Sequence, residues 1–415
     1  MAKKVLFVMP RLPFPATSGR KTSLYHYCRI LSDELGYQLV VAAFLEEGDD
    51  ANQKPGFIDK LVVLPKPKAF EKIKNIILNS LIRKKYPLQV SLYLSKNAKA
   101  IVNNLIMEEK PDVVIGDMVR STEYIRDAKA FTVADLDDRI SLRYKRQLES
   151  DIDGINPYGA FLNSVPNFLR RIMLKRKVKL KVVKNEIALL QKYELEIGRT
   201  CDSTVFVAEQ EVQTFNLEVG EQKAVAVPIG VDTSFFSFRE CGREGYDIGF
   251  LGALSVAHNE NAVRHFIVDI FPHILNSVPK ARFIVVGGGA SADLRAFASD
   301  SIVFTGRVED VREHLEKCKV FVCPMLFGSG IKTKNLEAMS MGLPIVTTSI
   351  GAENIDAENG REWIIEDNDI GFANKVIMML NSDEYRKTIA DNGSRYVKEK
   401  WTWDWTKEIL KNLIG

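Results

Sequence analysis

The densest chemistry lies between Pro324 and Gly342, where the chain reads Pro-Met-Leu-Phe-Gly-Ser-Gly-Ile-Lys-Thr-Lys-Asn-Leu-Glu-Ala-Met-Ser-Met-Gly. An apolar β-branched run, Val320–Cys323, precedes it, and a helical pattern follows. A buried strand, a turn through two glycines and a helix start aim unpaired backbone N–H groups and a positive dipole end at one spot. A phosphate is the natural occupant. Lys332 and Lys334 would add full positive charges, and Glu337, about a turn into the helix, can accept hydrogen bonds from a ribose diol.

A second glycine loop follows the first apolar run, Val5–Met9: Pro10-Arg-Leu-Pro-Phe-Pro-Ala-Thr-Ser-Gly19-Arg20-Lys21, with a helix expected from Thr22. Gly19 would let backbone approach an anion, with Arg20 and Lys21 nearby; an ordinary turn fits the loop equally well. Three acids also follow strand patterns. Asp117 comes after Val113–Ile115, while Asp135 and Asp138 come after Phe131–Ala134, where the carboxyl-end loops of an open sheet line its crevice. Solvated loop carboxylates are the competing reading. No Asp-x-Asp cluster sits beside the phosphate loop, and Asp135-Leu-Asp137 lies in the other half of the chain, so no metal is expected. Five scattered cysteines without a C-x-x-C pair suggest a reducing compartment, buried thiols and no structural zinc.

The elements that must carry these residues alternate from end to end. Short apolar runs at Leu39–Phe44, Leu61–Leu64, Thr204–Val207, Ile248–Leu251, Phe283–Val286, Ile302–Phe304 and Ile345–Thr347 join those above, with helical patterns between them. This rhythm predicts parallel sheets wrapped by helices. Two series of five or six strands, separated by a long charged helical stretch, predict two doubly wound α/β domains, with a boundary near 208–235. The charged stretch, Asn167 to Gly198, interleaves lysines and arginines with Leu169, Ile172, Val178 and Val183. It is either a basic amphipathic helix for an anionic membrane surface or a helix packing its apolar stripe on the first sheet. Lys66–Lys85 is a second basic segment of this kind. Trp401, Trp403 and Trp405 open a last helical pattern reaching Leu413.

With these motifs in place, the chain resembles the family 4 retaining glycosyltransferases, which have the two-domain GT-B fold. The Pro324–Gly342 segment looks like that family's donor-binding signature. Ile248-Gly-Phe-Leu-Gly252 resembles the first strand and glycine turn of its C-terminal domain, and Ala281–Gly289 the next strand. Val303-Phe-Thr-Gly-Arg307-Val308-Glu-Asp resembles the loop whose backbone reads the nucleobase, and Val227–Asp232 the stretch that opens the domain. The likeness covers residues 225–400 and is thinner before them.

The resemblance implies two Rossmann-like domains facing across a cleft. Residues 1–208 would form an acceptor-side domain on which a helix from 396–415 packs back, and residues 225–395 a nucleotide-sugar domain. It implies Lys332 and Glu337 as catalytic residues, with Gly19, Gly252, Arg307, Val308, Ser329, Gly330, Ile331, Thr333 and Lys334 binding the donor. Asp117, Asp135 and Asp138 are acceptor-side candidates. Three departures stand out. The first of the family's paired glutamates is replaced by Ser329, the arginine and lysine that usually follow the first strand of this domain are absent from Leu251–Asn259, and no histidine follows Val113–Ile115. Lys332, Lys334 and Arg307 are then the candidates to neutralise the diphosphate.

The implied reaction is sugar transfer with retention and without a metal, the leaving diphosphate helping to take the acceptor proton and domain closure gating the step. The UDP- or GDP-linked sugar is a substrate, and no separate cofactor is expected. An epimerase of the same architecture and a non-catalytic nucleotide-sugar or glycan binder are the alternatives.

The net charge of +3 hides an asymmetry. Residues 1–200 carry 35 Lys+Arg against 23 Asp+Glu, a net +12, which leaves −9 for the remainder. The basic half suggests a glycan or lipid-linked acceptor of anionic character in surface polysaccharide assembly, and contact with an anionic membrane through 169–184. Nothing points to nucleic acid. The expected location is the cytoplasm, peripheral on the inner face of the plasma membrane.

Overall fold

Val5 to Met9 are at most 1% exposed, as a parallel strand with helices on both faces requires. The computed structural model describes residues 2–16, 19–46, 48–150, 157–158, 161–162, 165, 167–237, 245–328 and 330–415. They form two compact units, one running to Pro228 and taking up Thr406–Gly415, the other spanning Ile229–Trp405.

The first unit holds a seven-stranded parallel sheet: β1 (Lys4–Met9), β2 (Gln38–Ala43), β3 (Lys60–Val63), β4 (Val113–Asp117), β5 (Phe131–Asp137), β6 (Ser203–Phe206) and β7 (Ala224–Ala226). Their order is β3-β2-β1-β4-β5-β6-β7. The chain reverses its direction of travel between β1 and β4, and crevices open at the carboxyl ends of strands at such a point. Helix α1 (Gly19–Arg29) starts beside it.

The second unit repeats the plan with β8 (Tyr246–Leu251), β9 (Phe283–Val286), β10 (Ile302–Gly306), β11 (Cys318–Cys323), β12 (Ile345–Thr347) and β13 (Ile364–Ile365), ordered β10-β9-β8-β11-β12-β13. Its switch point lies between β8 and β11. These are the strands that deliver Gly252 and the Pro324–Gly342 loop. The loop ends in a helix over Thr333–Ser340, and the helix Ala257–His265 follows β8.

Two strands were not expected from the sequence. β7 and β13 are three and two residues long, too short for alternation to register, and exist by pairing along β6 and β12. Because β7 completes the first sheet, that unit runs past residue 208 to Pro228. The returning segment is also shorter than residues 396–415. The helix Asp383–Lys400 stays with the second unit, where Val397 is buried, and the last helix, Trp403–Ile414, changes unit after Trp405. Thr406 Oγ1 donates to the Pro228 carbonyl at 2.8 Å, and Lys3 Nζ to the Ile414 carbonyl at 3.0 Å.

The charged stretch breaks into two helices, Asn167–Met173 and Arg176–Thr200. Lys175 between them leaves the helical region, at φ −57° and ψ 129°. The longer helix sends Val183, Leu190, Tyr193 and Ile197 into the core shared with β1, β4 and β5. Its apolar stripe is therefore spent inside the unit, so the later part of the 169–184 stretch, expected to meet an anionic membrane, turns its apolar side chains to the core instead. Among the described residues no helix is long and apolar enough to cross a bilayer. Cys28, Cys201, Cys318 and Cys323 are buried and in no disulfide among the described residues; Cys241 lies outside the described residues.

Candidate active site

At the second switch point the backbone does what the glycines permit. Gly328 and Gly330 have φ of +141° and +71°, the left-handed range in which a Cβ is costly. The turn brings Lys332 to the start of the helix Thr333–Ser340, and its Nζ donates to the Gly330 carbonyl at 2.7 Å. Lys332 is buried.

Lys334 reaches across to the end of β8. Its Nζ donates to Asn259 Oδ1 at 2.6 Å and stands 4.5 Å from the centroid of the Phe250 ring. Asn259 is held for this, since its Nδ2 donates to the Ala253 carbonyl at 2.9 Å. Gly252 leaves the space: a Cβ there would lie 2.9 Å from Lys334 Nζ and 3.0 Å from the Asn259 amide. Gly287 has φ +143°, and a Cβ on it would come 2.0 Å from the Gly252 carbonyl oxygen. The β8 and β9 loops are thus pressed together by missing side chains.

Two ammonium groups stand close together here, with Glu337 the nearby carboxylate that draws on Lys334. Burial pushes the Lys334 ammonium below its ordinary value, and neighbouring Lys332 adds to the shift. Burial, then Lys334 and Lys332, push His258 down to about 4. Burial pushes Glu337 up to about 7 against the pull of Lys334. Two lysines and a neutral imidazole at a helix start form an anion-seeking pocket, with Glu337 beside it to accept from hydroxyls.

The first switch point carries a different arrangement. Arg20, on α1, spreads its guanidinium over three carboxylates. It meets Asp117 at 2.5 Å, Asp135 at 2.7 Å and Asp137 at 3.0 Å. Asp117 is fully buried and Asp135 nearly so. Asp137 sits at φ +67°, where the β5–β6 register shifts. Burial, with Asp117 and Asp137 close by, pushes Asp135 up to about 7 against the pull of Arg20. Asp117 Oδ2 is buried and has no hydrogen-bond partner among the described residues. Asp138 faces Arg143 at 2.9 Å, and burial raises it too.

The structure therefore gathers Gly252, Gly330, Lys332, Thr333, Lys334 and Glu337 around one turn, with Ile331 half-buried between them. Ser329 lies outside the described residues. Arg307 is exposed on the loop after β10, two strands from β8, and among the described residues it makes none of the contacts that join Lys332, Lys334 and Asn259. Val308 beside it packs on the core. Gly19 opens α1 with free space where a Cβ would stand. Its neighbours are committed inside their unit, Arg20 to the three aspartates and Lys21 to Asp49 at 2.5 Å. Neither is without an acidic partner. Nor are Asp117, Asp135 and Asp138 solvated loop acids. Sequence reasoning passed over His258, Asn259 and Asp137. The first two sit at the start of the helix after β8, a position the strand order marks once it is known.

Residues 245–382 match the family model described as "Glycosyl transferases group 1". The match falls within the second unit, and the two parallel-sheet α/β units match GT-B glycosyltransferase structures in fold. Over its whole length the chain is 20% identical to an "Uncharacterized 44.6 kDa protein in cps region" of Klebsiella pneumoniae, covering 99% of each. It is 27% identical over 167 residues to a Campylobacter jejuni alpha-1,4-N-acetyl-D-galactosaminyltransferase named for a GalNAc-containing, undecaprenol-linked acceptor, covering 37% of this chain and 45% of that protein. Among solved structures it superposes on WaaG, a glycosyltransferase involved in lipopolysaccharide biosynthesis, with a TM-score of 0.62 at 15% identity, covering 99% of this chain and 100% of WaaG.

Proposed function

We propose that this protein transfers a sugar from a UDP- or GDP-linked donor to a glycan or lipid-linked acceptor in surface polysaccharide assembly, with retention and without a metal. The observation that carries the reading is the Lys332–Lys334–His258 pocket at the β8/β11 switch point. In the reaction the bond from the anomeric carbon to the diphosphate oxygen breaks and a bond to the acceptor oxygen forms on the same face. The acceptor proton passes to the departing diphosphate. Negative charge grows on that diphosphate, where Lys332, Lys334 and the helix start at Thr333 are fixed in advance to meet it. Glu337 accepts from the nucleotide ribose.

Lys334 answers one departure from the family pattern. Coming from the helix after β11, it stands at the end of β8, where the usual arginine and lysine are missing. The Klebsiella relative's cps region and the acceptor in the Campylobacter relative's name support the polysaccharide setting. The test is a mass-resolved assay with UDP- and GDP-sugars, with and without undecaprenyl diphosphate-linked saccharide, in EDTA. Acceptor-dependent transfer that survives EDTA and keeps the donor's anomeric configuration is expected. Epimerised donor, or tight donor binding with no turnover for any acceptor, would replace this reading with the isomerase or the binding protein.

A further inference from the structure

Sugar transfer does not account for a group of apolar side chains on the outside of the first unit. On the helical stretch Ala69–Ile82, Phe70 is 79% exposed and Ile82 67%, with Leu81 exposed between the same turns. On and just after the helix Asn167–Met173, Phe168 is 65% exposed, and Ile172 and Leu174 are exposed as well. The two segments border one small core. Ile76 of the first and Met173 of the second pack on the cluster of Leu88, Tyr158 and Leu162, and the Tyr158 hydroxyl donates to the Met173 carbonyl at 3.5 Å.

Cations ring this surface. Lys68, Lys74 and Arg83 flank the first segment, and Arg170, Arg171 and Lys175 the second, all exposed and none in an ion pair among the described residues. Glu71, the carboxylate within the first helix, is held by the Lys96 amide at 3.2 Å. The folded unit does not need these apolar groups outside, because the neighbouring helix Arg176–Thr200 shows the same composition with its stripe turned in. Outward phenylalanine, leucine and isoleucine between basic residues match the boundary of an anionic bilayer, with rings and aliphatic chains at acyl depth and ammonium and guanidinium groups at the headgroups.

We propose that the face formed by Ala69–Ile82 and Asn167–Lys175 docks the first unit on an anionic lipid bilayer. The face takes in the start of the 169–184 stretch, whose later part turns its stripe into the core. The inference is independent of the donor pocket, and its test contains no nucleotide.

The experiment is co-sedimentation of the full chain with vesicles of phosphatidylcholine alone or mixed with phosphatidylglycerol. Strong partition onto the mixed vesicles and little onto phosphatidylcholine is expected. The double substitution Leu81→Gln/Ile82→Gln, and separately Phe168→Gln, each lower that partition about tenfold or more while the thermal melt is kept. Met107→Gln, at another exposed apolar site of the same unit, leaves it unchanged. Three results would overturn the proposal: no partition of the parent protein onto the mixed vesicles, partition indifferent to the apolar substitutions, or lipid-free self-association that the same substitutions abolish. The last would make the face a protein interface.

Discussion

Lys334 is the side chain on which the proposed donor pocket turns. It is a half-buried ammonium whose direct partners, the Asn259 amide oxygen and the Phe250 ring, are neutral, with Glu337 the carboxylate that draws on it, so a diphosphate would add a direct anionic partner. Charge-assisted hydrogen bonds of this kind contribute about 1.5–3 kcal/mol, and Lys334→Met is expected to weaken nucleotide diphosphate binding by roughly a hundredfold. His258 gives the pocket a pH signature. Its value of about 4 in the free protein must rise when an anion arrives, so binding takes up a proton at pH 5–6 and affinity increases as pH falls, levelling off below about 4. Calorimetry in buffers of different ionisation enthalpy should detect the uptake, and His258→Gln should remove the protein's share; equal uptake in the variant would assign it to the ligand. Arg20 belongs to another category. Removing one partner from a buried ion cluster costs about 3–5 kcal/mol, so Arg20→Met should lower the first unit's melting temperature by several degrees and leave nucleotide affinity alone. If the melt stayed and affinity fell, Arg20 would be a phosphate ligand after all.

At the scale of elements, the glycines decide how closely the strands and loops approach. Gly287→Ala would drive a Cβ to 2.0 Å from the Gly252 carbonyl, so it should both destabilise the second unit and disturb the Lys334 position. Gly19→Ala meets nothing within 4 Å and should leave the melt within about a degree of the parent, since surface substitutions away from such contacts shift stability by under about 0.5 kcal/mol. The central strands were legible in the sequence because buried parallel strands are continuous apolar runs, as Val5–Met9 and Phe283–Val286 show. The glycine turn into the helix Thr333–Ser340 was legible because Gly328, Gly330, Lys332, Lys334 and Glu337 lie within one short segment. What sequence could not give is contact between distant residues. Nothing in Arg20 announces Asp117, Asp135 and Asp137, more than ninety residues away in every case, and nothing in Lys334 announces Asn259. The short β7 and β13 carry no periodic signal. The outward face of Asn167–Met173 and the inward face of Arg176–Thr200 share one composition, so only the break at Lys175 separates their fates.

For the whole molecule, two units with separate cores should unfold as two cooperative events, and a ligand that binds one native unit raises that unit's transition by mass action. Differential scanning calorimetry with saturating nucleotide diphosphate should therefore move the second unit's transition, which Gly287→Ala identifies, more than the first unit's, which Arg20→Met identifies. Equal displacement of both would mean that they unfold as one cooperative body. Whether the β8/β11 switch point holds the diphosphate of a nucleotide-sugar donor is decided by titrating UDP and GDP into the parent protein, Lys334→Met and Arg20→Met. One nucleotide should bind the parent, Lys334→Met should weaken it roughly a hundredfold, and Arg20→Met, once folded, should bind as the parent does. Failure of both nucleotides to bind, or binding indifferent to Lys334→Met, would contradict that placement of the diphosphate.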